Sequence, residues 1–222
     1  MPPRSPSFPD ALSVLELRDV RVSYDGHDAL RGIDLDVDRG SIVAVVGANG
    51  SGKSTLLSVA AGLRAPSAGH VRREAGTRVG LVPQSTGDVA RLPLTVTDLV
   101  TMGRWRERGS FLPLRRSDRA RVAAAIDAVG LSPLARRPLG ELSGGQRQRA
   151  HLAQALAQDV DLLLLDEPMS GLDAASRHAV AASLATVAAS GAAVIVVTHD
   201  LGEVGEVDVV CRLVDGRIAG SA

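Results

Sequence analysis

The chain has 222 residues with 25 basic and 25 acidic side chains, yet the basic set is 24 arginines and a single lysine, Lys53. A formal charge of zero argues against a protein that works by neutralising nucleic-acid phosphates, and 45% hydrophobic content at this length excludes a disordered chain. A lone cysteine, Cys211, excludes an internal disulfide, and the apolar runs fall far short of the roughly 18 residues that span a bilayer.

In chain order, residues 1–11 carry three prolines among the first six and no apolar h-region, so they read as a flexible tail rather than a signal peptide. Alternating apolar residues from Ser13 to Val22, and again at Ile33, Leu35 and Val37 beyond an Asp25-Gly26 turn, predict a short antiparallel piece. Ser41 to Val46 predicts a buried strand, followed by a glycine-rich turn and a helix from Lys53 to Leu63. That is the strand, loop, helix order of a phosphate-binding βα unit. Arg78 to Val82 predicts another strand, closed by Pro83.

Composition then turns helical. One helix is expected with Thr97 as its N-cap, and an alanine-rich one from Asp118 to Val129, capped by Ser117 and stopped by Gly130. Beyond them come a helix from Gly144 to Ala157, a strand over Leu162 to Leu165, a helix near Ala174 to Ala188, a strand over Ala193 to Thr198 and a hairpin at Asp215-Gly216. The expected fold is therefore α/β: a P-loop NTPase core with a mainly parallel sheet (12–87 and 143–222), an N-terminal antiparallel β piece and an inserted helical subdomain (88–142).

Gly47-Ala48-Asn49-Gly50-Ser51-Gly52-Lys53-Ser54 fits G-x-x-x-x-G-K-[ST] in full. Its glycines let backbone N–H groups converge on an anion, and the following helix adds its positive end. Lys53 brings a compact ammonium to the phosphates, and Ser54, next to Thr55, brings a hydroxyl for Mg²⁺. The strand Leu162 to Leu165 ends in Asp166-Glu167-Pro168, which puts a metal-holding carboxylate and a potential base where ligands collect in such sheets. Ser143-Gly144-Gly145-Gln146 reads as a capped helix start with exposed N–H groups, a second anion site in the same chain.

This ordered set, running from Tyr24 to His199, resembles the ATP-binding subunit of ABC transporters. The resemblance implies that each ATP is sandwiched between the phosphate loop of one subunit and the Ser143 to Gln146 signature of another. It further implies that Tyr24 stacks on adenine, that Gln84 touches Mg²⁺ and the attacking water, that Asp173 lies at the dimer interface and that His199 holds the γ-phosphate. Glu167 becomes the water-activating base, with Asp166 and Ser54 on Mg²⁺. Met169 departs from the pattern, which often has a hydroxyl residue there.

The segment Leu92 to Arg104 is similar to the matching part of bacterial metal importers, the zinc and manganese group first and iron–siderophore importers next. Val96, Leu99 and Val100 within it are spaced as helix core. A permease and an extracytoplasmic solute-binding protein are the implied partners, with this chain at the cytoplasmic face of the membrane. The five histidines show no short ligand spacing, so the cargo ion is expected on a separate protein. Export is an alternative, and a soluble ABC-type ATPase acting on ribosomes or DNA is another. The arginines from Arg104 to Arg121 read as a solvated helical face, with anionic lipid as a competing reading.

Overall fold

The computed structural model describes residues 13–24, 26–83, 93–105 and 114–221. The expected tail and Gln84 lie outside the described residues, as do Arg106 and Arg108.

An antiparallel sheet pairs β1 (Ser13–Tyr24) with β2 (His27–Asp38) on one side and β4 (Ala68–Arg73) on the other. Alternation predicts β1 and β2, and their Leu15, Leu17, Ile33 and Val37 are all buried. The strand β4 was not legible: it is an edge strand of exposed and half-buried residues with no apolar face to announce it. The register of β1 breaks between Leu17 and Val20, where Asp19 takes φ 45.

The second sheet has the order β5-β6-β7-β3-β8-β9. Its strands are β3 (Ile42–Val46), β5 (Val79–Val82), β6 (Leu162–Asp166), β7 (Ala193–Thr198), β8 (Val209–Val214) and β9 (Arg217–Ser221), all parallel to their neighbours except β9. Both faces are covered, which explains why these strands are continuously apolar. Val43, Val45, Leu162 and Leu164 join the core under the antiparallel sheet and helix α1 (Lys53–Ala60), whereas Ala44, Leu163 and Leu165 join the core on the opposite face.

That opposite face carries α2 (Val96–Met102), α3 (Arg116–Ala128), α4 (Gly144–Ala157) and α5 (Ala174–Ala189). Val96, Leu99 and Val100 are buried among them as expected.

Several boundaries differ from expectation. The helix α1 stops at Ala60, because Gly62 follows in the left-handed region, and Leu63 is left 72% exposed. Thr95 rather than Thr97 caps α2: Asp98 N donates to the Thr95 hydroxyl at 3.2 Å while Thr95 N donates to the Asp98 carboxylate at 2.9 Å. Thr97 lies inside the helix and donates to the Ala135 carbonyl. Ser117 is likewise inside α3, whose N-cap is Arg115, its N–H donating to Asp118 at 3.0 Å.

Arg104 is the clearest reversal. It is not on a solvated face but 5% exposed, donating through Nε and Nη2 to Asp118 at 3.2 and 3.1 Å and through Nη1 to the Ala157 carbonyl at 3.0 Å. Guanidinium geometry lets one side chain lock the ends of three helices, α2, α3 and α4.

Candidate functional site

Parallel pairing brings the strand ends together. Val46 of β3 sits beside Thr198 of β7, and Asp166 of β6 beside Val197, so Gly47, Glu167 and His199 all emerge at one edge of the sheet. Ligands collect at this carboxyl edge in open α/β sheets.

The phosphate loop leaves β3 at Gly47, where an added Cβ would run into the Leu213 carbonyl and lie 2.6 Å from the Ser51 hydroxyl. Only glycine fits that approach. The helix α1 begins after Gly52, which takes φ 105 and supplies no side-chain cap. No acidic residue stands in its first turn either, so its free N–H groups and positive end remain available to an anion. Lys53 is 7% exposed and donates to the Gly47 and Ala48 carbonyls, both at 2.8 Å. An ammonium has three donors, so one hydrogen is left for a ligand.

The Ser54 hydroxyl lies beside Asp166 across the loop, close enough to act on its carboxyl. Burial raises the Asp166 carboxyl above its ordinary range; the Ser54 hydrogen bond opposes this, the Glu167 charge reinforces it and Lys53 counters it. Thr55 meets the Tyr24 hydroxyl at 3.4 Å, which places the tyrosine, 37% exposed, beside the loop. Arg64 covers one side of that ring, its guanidinium carbon 4.2 Å from the centroid.

Glu167 takes φ 50, an uncommon conformation for a residue with a side chain. Its N–H donates to the Val197 carbonyl at 3.0 Å, and its carbonyl accepts from Ser170 N at 3.2 Å and from the Gln148 amide at 2.9 Å. Met169, the departure from the family pattern, is 2% exposed and packs into the helical core, so its side chain has a packing role. His199 is exposed, between Thr198 and Asp200; the Asp200 N–H donates to the Thr198 hydroxyl at 3.1 Å.

The signature lies elsewhere on the chain. Ser143 caps α4 in a closed box: Gln146 N donates to its hydroxyl at 3.2 Å and Ser143 N donates to Gln146 Oε1 at 2.9 Å. Gly144 is open on its outer side, and Gly145 rests near Leu172. Asp173 caps α5 through Ser176 N at 2.7 Å, and that backbone hydrogen bond lowers its carboxyl. Among the described residues, the hydrogen bonds of Ser143, Gln146 and Asp173 do not reach the phosphate loop of the same chain.

Sequence reasoning missed Gln148 and Arg64. Gln148 could have been found, since it follows Gly144 by one helical turn and so shares the signature's face. Arg64 had no such signal, lying past the end of α1.

The model of the family "ABC transporter" matches residues 30–170. The chain is 38% identical to a zinc transport system ATP-binding protein of Treponema pallidum (strain Nichols), over 86% of this chain and 74% of that one. It is 37% identical to a manganese transport system ATP-binding protein of Bacillus subtilis (strain 168), over 84% and 77%. Among solved structures, a dimeric ATP-binding cassette in a post-hydrolysis state with ADP and Pi superposes at TM-score 0.81 with 25% identity, covering 94% of this chain and 97% of that one.

Proposed function

The chain belongs to the ABC transporter family as an ATPase subunit coupled to transport, and from that membership we propose that it powers import of a divalent metal ion, zinc or manganese. What supports the ion class is the naming of its relatives together with the Leu92 to Arg104 segment.

In this reading ATP lies along the phosphate loop, with its β- and γ-phosphates against the α1 N-terminus and the remaining Lys53 hydrogen. Gly47, Ala48, Asn49, Gly50, Ser51 and Gly52 supply the backbone cradle, and Tyr24 supplies the adenine platform beside Thr55. The Ser54 hydroxyl and Asp166 carboxylate lie side by side, an all-oxygen pair suited to Mg²⁺, with Gln84 as the third proposed contributor. Bound there, Mg²⁺ would neutralise charge on the phosphates. The Glu167 carboxylate takes the proton of the attacking water, and His199 donates to the γ-phosphate oxygen. Ser143, Gly144, Gly145 and Gln146 of a second copy close over the same ATP, with Asp173 at the interface.

The observation that carries the reading is the uncapped α1 N-terminus, with a nearly buried lysine and the Ser54–Asp166 pair beside it. The ATPase core comprises 12–87 and 143–222, with 88–142 as the helical insertion. No helix among the described residues is long and apolar enough to cross a membrane, and the chain is assigned to the cytoplasmic face through an integral permease, with a solute-binding protein completing the importer. Copurification tests this: a tagged chain should bring down a permease, and a deletion strain should lose zinc or manganese uptake. Capture of ribosomes or DNA instead defeats the transport reading.

A further inference from the structure

We propose that Gln148 is a positioning residue for Glu167, so that the base of one nucleotide site is held by the helix whose N-terminus closes over the other. The inference rests on the two-copy ATP sandwich of the proposed function.

Glu167 combines two demands. Its carboxylate must aim at a water near the phosphate loop, and its backbone is held at φ 50, where a residue with a Cβ is strained. Such a conformation persists only where its peptide groups are over-determined. Here the Glu167 N–H is tied to the end of β7, and its carbonyl uses both lone pairs, on Ser170 N and on the Gln148 amide. The first tie belongs to the sheet and the second to the local turn. Gln148 reaches in from the helix α4 and fixes the turn relative to that helix.

The helix is also the one that begins at Ser143. Gln148 stands one turn from Gly144, and Gly145 lies against the turn after Glu167, where an added Cβ would be 3.0 Å from Leu172. The start of α4 and the Glu167 turn thus form one packed unit. A displacement of α4 when its N-terminus meets the partner's ATP is carried by the Gln148 amide to the Glu167 carbonyl and hence to the direction of that carboxylate. In the dimer this links each base to occupancy of the opposite site.

Gln148→Met keeps the volume and removes the donor, and Gln148→Lys returns an N–H donor on a flexible stem. With the full chain, we expect Gln148→Met to bind ATP with a Kd within about twofold of wild type and to form the ATP-dependent dimer. Its single-turnover hydrolysis should slow about five- to tenfold, the rate equivalent of one side-chain hydrogen bond. Gln148→Lys should recover most of that loss. In a Glu167→Gln background, Gln148→Met should slow hydrolysis no further, since the group it positions is gone. A merely structural role would lower ATP binding together with rate and would add to the Glu167→Gln effect, and either result overturns the proposal. Glu167→Gln alone separates the two layers: failure to form an ATP-dependent dimer defeats the sandwich, whereas an intact dimer with an unslowed Gln148→Met defeats the positioning role.

Discussion

Replacing Asp161 by Asn should destabilise the fold without touching nucleotide chemistry. Asp161 opens β6 at the end opposite Asp166 and accepts from Arg78 three times, through N at 2.9 Å, Nε at 3.0 Å and Nη2 at 3.3 Å, with Arg39 Nη1 at 3.4 Å. Arg39 in turn holds Glu74 at 2.6 Å, so the carboxylate joins the turn before β3 and the approach to β5 to the base of β6. The Arg78 hydrogen bonds pull Asp161 from the usual 3.8 to about 2. At about 1.4 kcal/mol per unit that is roughly 2.5 kcal/mol, which screening through the partly exposed arginines reduces to about 1–2 kcal/mol. Because the folded pKa is the lower one, this stability is fully present above about 4 and is lost as pH falls through about 2. Urea unfolding of wild type and Asp161→Asn should therefore differ by about 1–2 kcal/mol at pH 7 and by roughly half that at pH 3. ATP hydrolysis at 25 °C should be equal in the two. A difference below about 0.5 kcal/mol at pH 7, or one that does not shrink with acid, refutes the reasoning.

Three further outcomes are expected from the site and the core. Glu167→Gln should cut hydrolysis by about 100-fold or more while retaining ATP, giving a long-lived dimer on size-exclusion chromatography; an unaltered rate sinks the base assignment. Lys53→Ala should weaken ATP binding about 30- to 100-fold in equilibrium titration, the cost of losing charge-assisted contacts to phosphate. The Cys211 thiol is 1% exposed and burial pushes it up to about 11, so at pH 8 about one thiol in a thousand is ionised. A thiol-alkylating reagent should label it at the rate of unfolding, measured across a urea series, and rapid native labelling would contradict the packing.

The parts of the site legible in the sequence were those carried by contiguous residues. The phosphate loop needs its glycines and Lys53 within one turn, so spacing alone reveals it. The strand end at Asp166 was legible by a different route: buried parallel strands are continuous apolar runs, and the first polar residue after such a run sits at the sheet edge; His199 came with the family pattern. The features that escaped depend on pairing across distance. The strand β4 has no buried face, and its membership comes only from bonding to β1. Gln148 shares a helix face with Gly144, but its bond to the Glu167 carbonyl depends on the fold. Arg104 misled in the opposite sense: its charge says surface, and only the folded placement of Asp118 and the α4 C-terminus makes burial tolerable.

The two helix starts proposed to meet ATP, those of α1 and α4, differ in a way that bears on the proposed two-copy arrangement. At α1 the first turn has no side-chain cap, and the buried Lys53 is pinned to the loop's own carbonyls, which leaves the helix N–H groups open to the proposed phosphates. At α4 the Ser143 hydroxyl oxygen is occupied by Gln146 N, but its own proton is left to donate outward, and Gly144 leaves the approach open. In the proposed sandwich the first start would hold the phosphates and the second would close over them. The box satisfies the Gln146 N–H and leaves the Gly144 and Gly145 N–H groups, with the Ser143 proton, as donors to offer on closure. Among the described residues Ser143 and Gln146 make no hydrogen bond to the loop of the same chain, which fits the proposal that they meet a phosphate held by a second subunit.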